Sequence, residues 1–153
     1  MKFLQAFLIV ILGSLTAFAQ VGFERIVASD AEPESWLTYS GGYRSQWYSG
    51  LDQINKDNVE RLRPAWVYEL PPGVNNTTPI VADGIMYLTE LPSTVTALDA
   101  STGNMLWTFS PTMPQRVLGP TPFNNNRGVA VLDDSVFCRH TRRPSGFSRL
   151  GNR

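Results

Sequence analysis

Few residues in this chain carry reactive chemistry, and their spacing excludes most enzyme classes. The 153 residues include one histidine, His140, and one cysteine, Cys138. No nucleophile–histidine–acid set forms around any other imidazole. No disulfide or cysteine metal site can be built before position 138, and no glycine-rich phosphate loop is present. Two polar residues can be described by what their groups could do, and residue chemistry alone marks neither as a site. Arg127 sits in Asn126-Arg127-Gly128, at the opening of an apolar run. Its guanidinium is permanently charged and can fork onto carboxylate or carbonyl oxygens, although a lone arginine is ordinarily a solvated surface group. Asn76, ahead of Thr78-Pro79, can donate and accept hydrogen bonds but carries no charge. The formal glycosylation acceptors Asn75-Asn76-Thr77 and Asn76-Thr77-Thr78 are taken as coincidental.

The elements that must position these residues are strands. Residues 79–82 are apolar, and Asp83-Gly84 is a two-residue hairpin signal, since glycine accepts the positive φ of a type I′ turn. Residues 85–89 return, 94–98 form a β-branched third run, and 104–109 a fourth, a spacing that predicts a four-stranded antiparallel meander. The turn between the last two reads Ala97-x-Asp99-x-x-Thr102-Gly103-x-x-x-Trp107. There the Asp99 carboxylate can accept backbone N–H bonds, Thr102 offers a second local bond, and Gly103 can close the turn in the left-handed region. Residues 57–62 have a capping-box spacing, Asp57 with Glu60, and predict a short helix ended by Pro64. Residues 65–70 predict a strand, as do residues 129–132 and 135–137 around the Asp133-Asp134 turn. The intervening residues 110–125 read as a proline-rich loop.

The Asp99–Trp107 spacing resembles the tryptophan-docking motif of the pyrroloquinoline quinone (PQQ)-dependent alcohol dehydrogenases, whose propeller blades lock together through that ring. Trp36-x-x-Tyr39 with Gly41-Gly42, then Tyr48-Ser49-x-Leu51-x-Gln53-Ile54-Asn55, is similar to their N-terminal signature, and the likeness extends over residues 36–137. It implies an all-β fold: an incomplete β-propeller with one short helix, the first blade or so of a ring with roughly eight blades. A blade takes ~40 residues, so this length is too short for a ring. In that family a catalytic aspartate acts as base, and a calcium or lanthanide ion polarises the quinone carbonyl that accepts the substrate's hydride. Substrates are alcohols or similar small molecules, and a separate electron acceptor reoxidises the cofactor. The resemblance implies cofactor-binding roles for Arg127 and Asn76. The catalytic aspartate and metal ligands fall in later blades. Two positions depart from the family pattern. Val117-Leu118-Gly119-Pro120 stands where many members carry an adjacent cysteine pair, and Asn76 stands where many have glutamate. A non-enzymatic repeat propeller that scaffolds assembly at the cell envelope shares the Asp99 turn; the N-terminal signature and Asn126-Arg127-Gly128 favour the dehydrogenase.

The rest of the chain sets the context. Residues 1–19 have one lysine, an apolar run and Ala17-Phe18-Ala19, the pattern of a cleaved secretory signal, which implies export to a periplasm and no membrane span after cleavage. Residues 20–35 lack periodicity and read as a loose lead-in; the aromatic, glycine-rich residues 36–51 read as an irregular segment laying its rings on a sheet edge, with a carbohydrate- or base-stacking surface as the alternative. Outside the signal and the last sixteen residues, seven basic residues face 13 acidic ones, a net charge of −6 that, with no basic stripe, argues against nucleic acid or an anionic membrane as a partner.

Residues 138–153 (CRHTRRPSGFSRLGNR) lose strand patterning and hold five arginines with no acidic residue, which alone would read as a disordered basic tail or nucleic-acid arm. One back-translation of this tail, read one base later, gives AGTLDARLVSLDSATG, which continues the strand and recovers the counterpart of Leu98–Gly103. The reading adopted is a frameshift near Cys138, leaving an aberrant tail in which Cys138 and His140 carry no chemistry.

Overall fold

The computed structural model describes residues 20–73, 75–91, 93–111, 126–140 and 146–151. The signal-like residues 1–19 and the cysteine-free stretch 117–120 lie outside them. Among the described residues, seven strands form two antiparallel sheets, the first in the order β1-β2-β3-β4 and the second β5-β6-β7. The first contains β1 (Ile80–Ala82), β2 (Ile85–Glu90), β3 (Thr94–Asp99) and β4 (Met105–Phe109). The second contains β5 (Val129–Leu132), β6 (Ser135–His140) and β7 (Gly146–Gly151).

The meander follows its turn chemistry. Asp83 and Gly84 both have positive φ, +52° and +76°, as the type I′ hairpin requires, and Ala82 faces Ile85 across it. Alternation then selects the faces. Ile80, Tyr87, Ala97 and Trp107 form one cross-strand row, while Thr96 with Leu88 and Thr108 lies on the opposite face. The first row joins Val21, Ile26, Leu37, Val95, Val131, Val136 and Cys138 in a single buried cluster, so the two sheets share a core. A bulge interrupts the β3–β4 ladder: Ala97 pairs with Trp107 but Leu98 with Met105, leaving Leu106 unopposed and exposed.

Four expectations are corrected. Residues 20–35 are ordered: Val21 pairs with Asp133, and a short helix, α1 (Phe23–Val27), is followed by a 3-10 turn at Ser29–Ala31. Tertiary contacts supply this order. Arg25 reaches Glu32 at 2.6 Å and Asp83 at 2.8 Å, tying the lead-in to the first hairpin. The helix at 57–62 is only a 3-10 turn, Val59–Arg61, with no side-chain cap. Instead Asn55 Oδ1 accepts Asp57 N–H in an Asx turn and Asn58 Oδ1 accepts Asn55 N–H, local side-chain bonds that compete with helix. Residues 65–70 form no strand; they are tied to the first sheet by side chains. Finally, strand pairing continues past residue 137, with β6 extending to His140 and residues 146–151 adding a third strand.

Candidate cofactor-binding site

Arg127 begins the approach to β5, and three backbone anchors fix it. Its carbonyl accepts Thr78 N–H at 3.4 Å, which places the residues before β1 beside it. Thr89 Oγ1 donates to Thr77 Oγ1 at 3.1 Å and lies 3.5 Å from the Asn126 carbonyl, joining β2 to both segments. Gly128 has φ +127°, and a Cβ there would lie 3.0 Å from the Thr78 carbonyl oxygen, so only glycine permits this close approach. The segments carrying Asn76 and Arg127 therefore lie side by side at one edge of the shared core. Both side chains are exposed. Among the described residues the Arg127 guanidinium has no hydrogen-bond or ion-pair partner. Among those residues, no three His, Cys, Asp or Glu side chains cluster as metal ligands. No helix among them is long and apolar enough to cross a membrane.

Beneath the loop lies Cys138, buried and reduced, its thiol pushed up by desolvation and partly restrained by the Asn126 amide. The Asp99 turn is built as its residue types require. Asp99 Oδ1 accepts from Ser101 Oγ at 2.6 Å and from the Ser101 and Thr102 N–H groups at 2.9 Å, bonds that lower its pKa. Gly103 has φ +73° and its N–H returns to the Asp99 carbonyl.

The ring seated on that turn is Trp66. Its six-membered ring covers Gly103 so closely that a Cβ would fall 2.6 Å from two ring atoms, and its Nε1 donates to the Ala100 carbonyl at 3.1 Å. Trp107 instead leans on Tyr87, at 6.1 Å between centroids. The signal for Trp66 was the Pro64-Ala65-Trp66 run, read as a strand. Nearby, Tyr68 and Thr96 both donate to Glu90 Oε1, at 3.0 and 2.6 Å.

The aromatic segment meets the sheet edge through Trp36, whose backbone pairs with Val81, and its ring contacts Trp47. Tyr39, Tyr43, Trp47 and Tyr48 stay more than half exposed, and Tyr48 lines a cavity of about 240 Å³ with Ser29, Trp36, Ser40 and Arg44.

Residues 36–144 match the family described as glucose/ethanol/alcohol dehydrogenase, beta-propeller domain, with PQQ as its short name. The chain belongs to this quinoprotein family. The quinone alcohol dehydrogenase subunit of Gluconacetobacter polyoxogenes is 39% identical over 116 residues, covering 74% of this chain and 16% of that protein. The solved quinohemoprotein alcohol dehydrogenase ADHIIG of Pseudomonas putida superimposes with a TM-score of 0.71 at 40% identity, over 78% of this chain and 18% of that one. A europium-containing methanol dehydrogenase superimposes with a TM-score of 0.67 at 25% identity, over 84% of this chain and 23% of that one. The chain thus spans about a fifth of these quinoproteins, and its two sheets are part of a PQQ-type propeller.

Proposed function

We propose that this chain is the opening part of an exported, periplasmic quinoprotein that oxidises an alcohol, with Arg127 and Asn76 on one wall of its cofactor pocket. The observation that carries this reading is the Arg127 guanidinium, exposed and without a partner among the described residues, on a backbone anchored against the segment of Asn76. Those groups fit one side of a planar tricarboxylate. A guanidinium can fork onto two carboxylate oxygens, and the amide can donate to one and accept from a ring N–H. When bound, PQQ supplies the two-electron acceptor for alcohol oxidation, with calcium or a lanthanide beside it. This chain's own share is charge and orientation. Asn76 in place of glutamate leaves one negative charge fewer facing the cofactor's carboxylates.

The polypeptide as written is not a working enzyme under this reading. One charge-assisted contact is worth about 2 kcal/mol. After the entropy of association, that leaves millimolar binding or weaker. The test is titration of the chain with PQQ and calcium, followed by dye reduction with short alcohols. Micromolar binding, or turnover above a boiled control, refutes the proposed inactivity. The frameshift has its own test, since nucleotides after the Phe137 codon should encode further strand–turn repeats in the alternative frame. The scaffold reading has no comparable support, because the relatives named above are all dehydrogenases.

A further inference from the structure

Asn126 does not belong to the proposed cofactor contact, yet its side chain makes three hydrogen bonds. Nδ2 donates to the Arg139 carbonyl at 2.7 Å and to Cys138 Sγ at 2.9 Å, both on β6, while Oδ1 accepts Gly128 N–H at 3.1 Å. One amide thus spans the loop, bolting its start to the neighbouring strand and its end to itself. The acceptors differ in strength. Sulfur is a weak acceptor, so the Arg139 carbonyl is the main anchor, and it does so as backbone, independent of the side chain at 139.

Arg127 lies between these attachments. The residue before it is held by Asn126's own side chain on β6, its carbonyl by Thr78, and the residue after it by Asn126 Oδ1. Gly128 passes so close to Thr78 that an added Cβ would lie 3.0 Å from the Thr78 carbonyl oxygen. An arginine has four side-chain torsions to order when it binds an anion, and a backbone free to rotate adds to that cost. We propose that Asn126 is a positioning residue for Arg127: its amide clamps the loop to β6 so that the guanidinium is presented beside Asn76. This rests on the reading of Arg127 as a PQQ contact.

The experiment follows the full-length chain by two-dimensional ¹H–¹⁵N NMR during titration with PQQ and, separately, with its trimethyl ester. In the wild-type chain PQQ moves the Gly128 amide and the Arg127 side-chain signal. Asn126→Ala and the near-isosteric Asn126→Asp should each reduce the response per unit PQQ about three- to tenfold, the range for freeing one long side chain. Amides of β2 and β3 should keep their positions in both variants. The trimethyl ester, which offers no carboxylate to Arg127, should respond equally in all three proteins. A purely structural role would weaken both ligands together and overturn the inference. An unchanged PQQ response in both variants overturns it as well, and the Arg127 reading stands if Arg127→Gln alone abolishes the response. If Arg127→Gln titrates like wild type, the Arg127 reading itself falls, and the positioning role with it.

Discussion

The two sheets receive the same hairpin but end differently. In each, an aspartate with φ near +52° starts a two-residue turn, Asp83 in the first and Asp133 in the second. In each, the strand that follows this turn, β2 or β6, is paired on both sides. The first sheet continues into a fourth strand through the Asp99 turn, and that turn is capped by an indole from residues 65–70. The second ends, among the described residues, at β7, whose sequence GFSRLG carries no Asp-x-x-Thr-Gly turn. The difference shows what the turn adds beyond the ladder. Its loop hydrogen bonds are local, and its flat glycine surface makes it a seat for a tryptophan on a separate segment.

The sharpest way to break that comparison is Gly103→Ala set against Gly84→Ala. The two glycines have nearly equal φ, +73° and +76°, but an added Cβ meets the Trp66 ring at 2.6 Å in one case and nothing within 4 Å in the other. Both variants pay for the left-handed backbone, about 1 kcal/mol. Only Gly103→Ala also displaces Trp66 and its hydrogen bond, for a total of about 3 kcal/mol. Native-state hydrogen exchange at Asp99 and Gly103 reads the difference. Equal loss of protection in the two variants would mean that the indole contributes nothing to the turn.

What was legible follows the same division. All four strands of the first sheet were readable, because Asp83-Gly84 and Asp99–Gly103 fix their own turns and the runs between them are apolar or β-branched. The lead-in was not, because α1 depends on Arg25 finding Asp83, 58 residues away in sequence, rather than on any local period. Residues 65–70 have strand composition, but Trp66 and Tyr68 spend their polar groups on the Ala100 carbonyl and Glu90, and no ladder forms. Composition also misled at the C-terminal end: arginines and a glycine do not prevent backbone pairing, which β6 and β7 achieve over six positions. At the candidate site, Arg127 and Asn76 were singled out only through the family resemblance. Asn126 became visible once β6 supplied its partners.

A second comparison sets Val95→Ala against Val136→Ala. Both side chains are fully buried, one in the middle of each sheet, and both belong to one cluster. Deleting two methyl groups costs about 2 kcal/mol in each case, transfer and cavity together. If the cluster is one cooperative core, either variant lowers hydrogen-exchange protection in β3 and β6 alike. Loss confined to β5 and β6 in Val136→Ala would show that the sheets open as separate units.

The smallest effect belongs to the ion pairs that fasten the lead-in to the first hairpin. Arg25 bridges Glu32 and Asp83, with all three side chains about a quarter to a third exposed. Its hydrogen bonds, to Glu32 first and then Asp83, raise the arginine's pKa, and the Arg25 bond lowers that of Glu32. The sign follows from linkage. A carboxylate whose pKa is lower in the folded chain stabilises it above the unfolded value of about 4.3, and that contribution is lost as pH falls through the folded value. Solvent screening holds the whole contribution to about 1 kcal/mol or less. Exchange protection at Ile26 and Ala28 should therefore fall between about pH 4 and lower values, after correction for intrinsic exchange, and Glu32→Gln should flatten that fall. Arg25→Met should lower protection at neutral pH by a similar amount and flatten it equally, since one partner's removal silences the other. Protection at Val95, deep in the first sheet, should follow neither variant. If it does, the lead-in is part of the core's cooperative unit and not a strap laid across its edge.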